Sequence, residues 1–130
     1  MSKINFQIQS DPKNLKSVRK NLSTFISSHK ITGKDEGSIV LAVDEAVQNV
    51  MRYAYQLNPT HPIDFEFEKK DTDLIVKIRD YGKQVPIEQI KPRDLEDVKP
   101  GGLGVHFIRS ISKEMNYQHQ DKGTLLTLVF

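Results

Sequence analysis

The sequence predicts an α/β (α+β) two-layer sandwich, in which three helices cover one face of a mostly antiparallel mixed sheet. Helix-period and strand-period stretches are both present, but they do not alternate as a doubly wound sheet requires. Neighbouring strand stretches are joined by tight turns, which is typical of antiparallel pairing. With neither an internal repeat nor a linker, the 130 residues are expected to form one domain, residues 1–130.

The composition is that of a chain able to form its own core and a pocket. Hydrophobic residues make up 37% of the sequence and charged residues 28%. A domain of this length buries roughly two thirds of the surface that its unfolded chain exposes. The sequence has no cysteine, which excludes disulfides and thiolate chemistry. The four histidines are scattered, and none has the spacing of zinc ligands.

Charge and hydropathy argue against two kinds of partner. The net charge is +2, and basic residues are interspersed with acidic ones, so the sequence lacks the basic stripe with aromatic platforms that binds nucleic acid. No apolar run approaches the length of a membrane span, and the amino-terminal segment lacks the apolar core of a signal peptide. We therefore expect a cytoplasmic protein that binds neither nucleic acid nor membrane directly.

The first half of the chain predicts one strand followed by two helices. Alternating apolar residues predict a strand from Lys3 to Gln9. Residues 10–12 then supply a capping side chain and a proline, which begin a first helix that ends near Ser28. Residues 32–35 are a second cap, and the second helix runs to about Gln56. The buried stripe of the first helix is predicted to be Leu15, Val18, Leu22, Phe25 and Ile26.

The second half predicts four strands and one helix. Two alternating stretches are joined by a turn at residues 69–73, and two later strands are joined by a turn at residues 121–123. Between them, residues 82–100 contain three prolines and many charges, which predicts a mobile loop. Residues 101–104 begin the third helix. Its apolar face is predicted to be Leu103, Phe107, Ile111 and Met115.

Two polar side chains on the apolar second helix require an explanation. Glu45 and Asn49 lie four residues apart, so they occupy one face, separated by about 6 Å along the helix axis. A carboxylate and a carboxamide are costly on such a helix unless a polar group meets them. We interpret that group as a nucleotide with its Mg²⁺. The alternative is that this polar row is simply solvated.

Asp80 is the second candidate position. It continues the buried parity of the preceding strand, so its carboxylate is expected to need a donor, and the amino group of adenine would serve. Gly82 would let the backbone approach the base closely. The alternative, that Asp80 only caps the turn that follows it, stays open.

A glycine-rich helix start and a late threonine complete the candidate set. Gly102 and Gly104 flank Leu103, and glycines at a helix start leave backbone N–H groups available to phosphate. Neither a P-loop nor a dinucleotide fingerprint is present. Thr124 shares the parity of the final strand's apolar residues. Its hydroxyl could bridge to the base, although threonine is also an ordinary strand residue.

The order of these motifs resembles the GHKL ATPase superfamily, whose fold is the Bergerat-type ATP-binding fold. Glu-x-x-x-Asn on a helix is followed by Asp-x-Gly after a strand, Gly-Gly-x-Gly on a helix and Gly-Thr on a late strand. The small size and the Ala54-Tyr55 pair look most like the anti-sigma-factor serine kinases, also called switch-protein kinases. The resemblance covers the whole chain.

The resemblance implies a role for each residue. Asn49 would be a Mg²⁺ ligand and Glu45 the catalytic base that takes the proton of a serine hydroxyl. Asp80 would select the adenine of ATP, and residues 82–100 would form a lid. The remaining nucleotide-binding residues would be Gly82, Gly102, Leu103, Gly104 and Thr124. The implied function is an ATP-dependent protein serine kinase that phosphorylates an anti-sigma antagonist protein, sequesters a sigma factor and forms a homodimer.

Two positions depart from the resembled motifs. Tyr53 stands where histidine is usual, and Lys83-Gln84 lacks the second glycine of the box after Asp80. They motivate an alternative function, a nucleotide-binding or nucleotide-free regulatory module that acts only by binding a protein partner. Arg19, beside the apolar stripe of the first helix, is interpreted as a solvated residue or as a partner contact.

Overall fold

The computed structural model describes residues 2–84 and 102–130, and its described strands form one five-stranded sheet. The strand order is β1-β2-β3-β5-β4, and each neighbouring pair is antiparallel. The strands are β1 (Lys3–Gln9), β2 (Pro62–Lys70), β3 (Asp73–Arg79), β4 (Glu114–His119) and β5 (Thr124–Val129).

In the described part of the chain, three α-helices accompany the sheet: α1 (Leu15–Ser28), α2 (Glu36–Asn49) and α3 (Gly102–Ile111). Both predicted caps are confirmed. The Asp11 carboxylate accepts a hydrogen bond from the Lys13 N–H at 3.0 Å, at the 3-10 turn Pro12–Asn14 that precedes α1. The Asp35 carboxylate accepts one from the Ser38 N–H at 3.0 Å and so caps α2.

The core lies between the helices and one face of the sheet, which confirms the predicted sandwich. Strands β2, β3 and β5 alternate buried with partly buried side chains, as expected of a sheet covered on one face. All five positions predicted for the buried stripe of α1 are buried. The strand side chains in the core are Ile63, Phe65, Phe67, Leu74, Val76, Ile78, Leu126 and Leu128.

Two helix details differ from the sequence-based expectation. The regular part of α2 ends at Asn49, and a π-helical turn, Val50–Ala54, replaces the α-helix expected as far as Gln56. Among the α3 side chains whose burial is described, Ile108 is fully buried, whereas Phe107 and Ile111 are only partly buried. The reason is that α3 turns its Gly104 side towards α2, and Ile108 follows Gly104 by one helical turn.

The sheet order sets the position of the functional residues. Because β5 lies between β3 and the edge strand β4 and runs antiparallel to β3, the end of β3 meets the start of β5. The Asp80 N–H donates to the Thr124 carbonyl oxygen at 3.0 Å.

Within the described ranges, no helix is long and apolar enough to cross a membrane. The predicted loop lies outside the described residues from residue 85 onwards, and so does Gly101.

Candidate active site

Glu45 lies directly against the first turn of α3. A Cβ atom added to Gly104 would come within 2.6 Å of the Glu45 Oε2 atom, so the carboxylate occupies the space that a side chain there would need. Gly102, Leu103 and Gly104 form the first turn of this helix, where unpaired N–H groups and the helix dipole favour anions. The predicted base and the predicted phosphate-binding turn are therefore neighbours.

Asn49 is the last residue of the regular α2 helix, one turn beyond Glu45. Its Oδ1 atom is buried and has no hydrogen-bond partner among the residues that the structure describes. Leaving a buried amide oxygen unpaired costs about 1–3 kcal/mol. A ligand that supplies a positive partner at this point would remove that cost.

A magnesium ion fits this oxygen. Among the described residues, no group of three or more His, Cys, Asp or Glu side chains could enclose a metal. Mg²⁺ commonly takes one or two protein ligands and completes its octahedron with water and substrate phosphates. The orphaned Asn49 oxygen lies one helical turn from Glu45, which itself contacts the α3 start, and it suits a cation held mainly by a nucleotide's phosphates.

Asp80 is 4% exposed and lies where β3 ends. Its Oδ1 atom accepts a hydrogen bond from the Gly82 N–H at 3.0 Å, so Asp80 does cap the turn, and its binding of a base stays a prediction. Burial raises the pKa of the Asp80 carboxyl above its ordinary value, against the lowering effect of backbone hydrogen bonds from Gly82 and Thr124 and the charge of Arg79. A carboxylate can accept about four hydrogen bonds, so the cap is compatible with a further donor from a ligand.

Gly82 is constrained by the end of the second helix. A Cβ atom at this position would lie 2.4 Å from the Ala54 carbonyl oxygen and 2.7 Å from the Tyr55 Cδ1 atom. The neighbouring Lys83 N–H donates to the same Ala54 oxygen at 2.8 Å. The close approach to the end of the π-helical turn is thus one reason for glycine here, and the approach of a base to Gly82 stays a prediction.

Tyr55 is a residue whose partners the sequence did not reveal. Its hydroxyl accepts a hydrogen bond from the Tyr81 N–H at 2.8 Å and donates to the Pro62 carbonyl oxygen at 2.5 Å. Burial raises the pKa of the Tyr55 phenol. It therefore connects the turn after Asp80 with the π-helical end of α2. The Ala54-Tyr55 pair was the sequence signal that marked this position.

Thr124 begins β5 and is 8% exposed. The preceding Gly123 has a φ of +69°, and a Cβ atom there would lie 2.1 Å from the Asp80 carbonyl oxygen. The Gly-Thr pair therefore packs against Asp80, and the role of Thr124 in binding nucleotide stays a prediction. Gly123, interpreted from the sequence only as part of a turn, is required for this contact because both its φ and its packing exclude a side chain.

An ion pair beside Glu45 corrects the interpretation of Arg19. The Arg19 Nη1 atom lies 3.0 Å from the Asp44 Oδ1 atom, and the Gln48 side-chain amide donates to the Asp44 Oδ2 atom at 2.7 Å. The Asp44 carboxylate is only 9% exposed and the Arg19 side chain 48%. Arg19 is thus half-exposed and paired within the chain, joining α1 to α2, rather than simply solvated.

Tyr53, the departure on α2, is 40% exposed. The Arg52 guanidinium lies 5.7 Å from the centre of its ring, a distance within the range of cation–π contacts. In a regular α-helix, Tyr53 would follow Glu45 and Asn49 on the same face, four residues beyond Asn49. The π-helical turn that begins at Val50 changes the angular spacing after Asn49, so the row does not continue regularly to Tyr53.

Comparison with known proteins agrees with the fold. The histidine kinase-like ATPase domain family matches residues 8–130. The chain belongs to this family. The serine/threonine-protein kinase BtrW of Bordetella bronchiseptica is 30% identical over 97 residues, which are 70% of this chain and 67% of that protein. The serine-protein kinase RsbW of Halalkalibacterium halodurans is 28% identical over 121 residues, covering 85% and 72%.

Two solved structures share the fold of this family member. The structure of the RsbU and RsbW domains of Rv1364c from Mycobacterium tuberculosis has a TM-score of 0.72 at 17% identity. It matches 99% of this chain, which spans only 32% of that longer one. The catalytic domain of the histidine kinase ThkA has a TM-score of 0.60 at 16% identity, covering 100% of this chain and 95% of that one. The solved structures show the fold alone. The family match and the two kinase relatives identify an ATP-using protein-serine/threonine kinase of the anti-sigma-factor type.

Proposed function

We propose that residues 1–130 act as one domain that transfers the γ-phosphoryl group of ATP to a serine of an anti-sigma antagonist protein, and that the domain also sequesters a sigma factor. The observation that carries this proposal is the pairing on α2. The Glu45 carboxylate and the orphaned Asn49 Oδ1 atom lie one helical turn apart, and Glu45 contacts the first turn of α3. Phosphoryl transfer depends mainly on such positioning and on charge neutralisation.

ATP would lie between the two ends of this site. The Asp80 carboxylate would accept a hydrogen bond from the adenine amino group, with Gly82 and Thr124 beside it. The backbone N–H groups of Gly102, Leu103 and Gly104 would donate to the phosphates. Asn49 Oδ1 would be the protein ligand of Mg²⁺, which when bound neutralises charge on the phosphates.

Glu45 would act as the general base. It would take the proton of the serine hydroxyl as the serine oxygen forms its bond to the γ-phosphorus. The bond between that phosphorus and the β–γ bridging oxygen breaks. The bridging oxygen keeps the electron pair of this bond and leaves as part of ADP. The contact with Gly104 supports this role because it holds the carboxylate beside the turn that would bind the phosphates.

The partners follow from the relatives. RsbW and BtrW are protein kinases by name, so we infer an anti-sigma antagonist protein as serine substrate, a sigma factor as the sequestered partner, a homodimer as the assembly and the cytoplasm as the location.

Gel filtration of the chain with a candidate sigma factor, with and without ATP, tests the sequestration. Elution of the two proteins as separate peaks under both conditions would contradict it. Analytical ultracentrifugation of the chain alone tests the homodimer.

A calorimetric titration with ATP, with and without Mg²⁺, tests the nucleotide site. We expect the wild type to bind ATP more tightly with Mg²⁺, and Asn49→Ala to lose that dependence. Asn116→Ala, on the exposed surface of β4, is the matched control and should behave as wild type. Absence of ATP binding with Mg²⁺ present would overturn the kinase proposal and favour the alternative of a module that only binds a protein partner.

A further inference from the structure

On one side, the segment after Asp80 (residues 81–84) is hydrogen-bonded to the end of the π-helical turn that follows α2. The Tyr81 N–H donates to the Tyr55 hydroxyl at 2.8 Å, and the Lys83 N–H donates to the Ala54 carbonyl oxygen at 2.8 Å. These bonds fix the backbone of this segment against the helix that carries Glu45 and Asn49.

On the other side, the Gln84 side chain connects the same segment to the β4–β5 turn by hydrogen bonds. Its side-chain Nε2 atom donates to the Gln120 carbonyl oxygen at 2.6 Å and to the Gly123 carbonyl oxygen at 3.0 Å. A primary amide has two N–H donors, so both are used on one turn. The turn is itself closed by a bond from the Gln120 N–H to the Gly123 carbonyl oxygen at 3.1 Å.

This bridge connects the two walls of the proposed adenine site. Asp80 and Gly82 precede Gln84 on one wall, and Thr124 directly follows Gly123 on the other. Gln84 also stands where the resembled motif has a second glycine. A glycine has no side-chain amide and more backbone freedom, so it could not make this bridge.

We propose that Gln84 is a positioning residue that holds the two walls together and slows the release of nucleotide. The inference rests on the proposed nucleotide site. It assigns to Gln84 an effect on binding and none on phosphoryl transfer, because the bridge contacts neither Glu45 nor Asn49. The expected signature is a higher KM for ATP with an unchanged kcat.

Stopped-flow displacement of a fluorescent ATP analogue from the full chain, with Mg²⁺, measures the release rate. Gln84→Met keeps the length of the side chain and removes both donors without adding charge. We expect roughly five- to thirtyfold faster release, since one neutral hydrogen bond changes an equilibrium by about fivefold. Gln84→Gly should accelerate release at least as much. Gln118→Met, at an exposed position on β4, is the matched control and should match wild type.

The outcomes separate this inference from the proposed function. Wild type that fails to bind the analogue overturns both. Wild type that binds, with Gln84→Met releasing within twofold of it, overturns only the role of Gln84. Faster release accompanied by an equal loss of kcat would show general loosening of the site and would also contradict the inference. Urea unfolding of each variant confirms that it is folded.

Discussion

The Glu45 carboxylate fills the space beside Gly104 where any other residue would place its Cβ atom, with Oε2 only 2.6 Å from that point. This contact joins two motifs that lie far apart in sequence, the polar pair on α2 and the glycine-rich start of α3. Glycine at this position is therefore explained by the Glu45 carboxylate, in addition to the approach of phosphate that the sequence suggested.

Gly104→Ala should displace the Glu45 carboxylate and impair phosphoryl transfer. A Cβ atom cannot remain 2.6 Å from Oε2, so the carboxylate must move, and a misplacement of about 1 Å can cost about a hundredfold in rate. Single-turnover transfer from labelled ATP measures the effect. Gly33→Ala is the control, because nothing lies within 4 Å of a Cβ atom there. Equal rates for the two variants would show that the contact with Gly104 does not position the base.

Asp80→Asn should weaken ATP binding by roughly five- to 150-fold. Asp80 Oδ1 already accepts from the Gly82 N–H, so an asparagine that keeps this bond would turn its NH₂ group towards the adenine amino group. The asparagine NH₂ group and the adenine amino group are both donors, so neither would find an acceptor, at a cost of about 1–3 kcal/mol. Calorimetry measures the loss, with Asp71→Asn in the exposed β2–β3 turn as control. Wild-type affinity in Asp80→Asn would exclude Asp80 as the adenine acceptor.

The same substitution should change how stability depends on pH in the absence of nucleotide. The pKa of Asp80 is raised above its ordinary value of 3.8, chiefly by burial. As pH rises from that value through the raised pKa, the folded state keeps a proton that the unfolded state has lost, so the free energy of unfolding falls. Asparagine has no such proton. Urea unfolding at several pH values should show a smaller fall for Asp80→Asn, and an equal fall would contradict the prediction.

Gly82→Ala should lower the free energy of unfolding. The added Cβ atom would lie 2.4 Å from the Ala54 carbonyl oxygen, which is backbone and cannot turn away, so the segment after Asp80 must shift. Overpacking of this kind typically costs about 1–3 kcal/mol. Urea unfolding measures the change, again beside Gly33→Ala. A variant as stable as wild type would show that the space beside Gly82 accommodates a Cβ atom without cost, which would contradict the prediction.

Arg19→Met should destabilise the chain by about 1 kcal/mol, between the values typical of exposed and of buried ion pairs. It would leave the Asp44 carboxylate, 9% exposed, with the Gln48 amide as its described partner. Adding Asp44→Asn should recover part of the loss because the unpaired charge is then gone. Lys20→Met, on the exposed side of α1, is the control. Equal effects of Arg19→Met and Lys20→Met would show that the pair contributes nothing.

Local patterns in the sequence predicted most of the fold. Alternation of apolar residues located all five strands, and capping side chains at Asp11 and Asp35 located the starts of two helices. The buried stripe of α1 was predicted completely because an amphipathic period is a property of one helix. The same approach misjudged α3, since the choice between Ile108 and Phe107 depends on how that helix packs against α2.

The missing parts of the site depend on contacts between distant segments. Asp80 and Thr124 could be proposed from parity, but the bonds of Gln84 to residues 120 and 123 and of Tyr55 to Tyr81 connect separate elements. The ion pair of Arg19 with Asp44 is of the same kind. The periodicity of apolar residues in one element carries no information about hydrogen bonds and ion pairs to another element. The π-helical turn after Asn49 was not predicted either, because a single turn of this kind is too short to change the apolar period of the helix recognisably.

Transfer of phosphate by Glu45→Gln tests the central claim most directly. Wild type and variant are incubated with labelled ATP, Mg²⁺ and the candidate antagonist protein, and nucleotide affinity is measured in parallel. Glutamine keeps the shape beside Gly104 but cannot accept the serine proton, so transfer should fall by about a hundredfold or more, with ATP affinity retained. Glu36→Gln, exposed on the same helix, should transfer normally. Wild-type transfer by Glu45→Gln would contradict the assignment of Glu45 as the base.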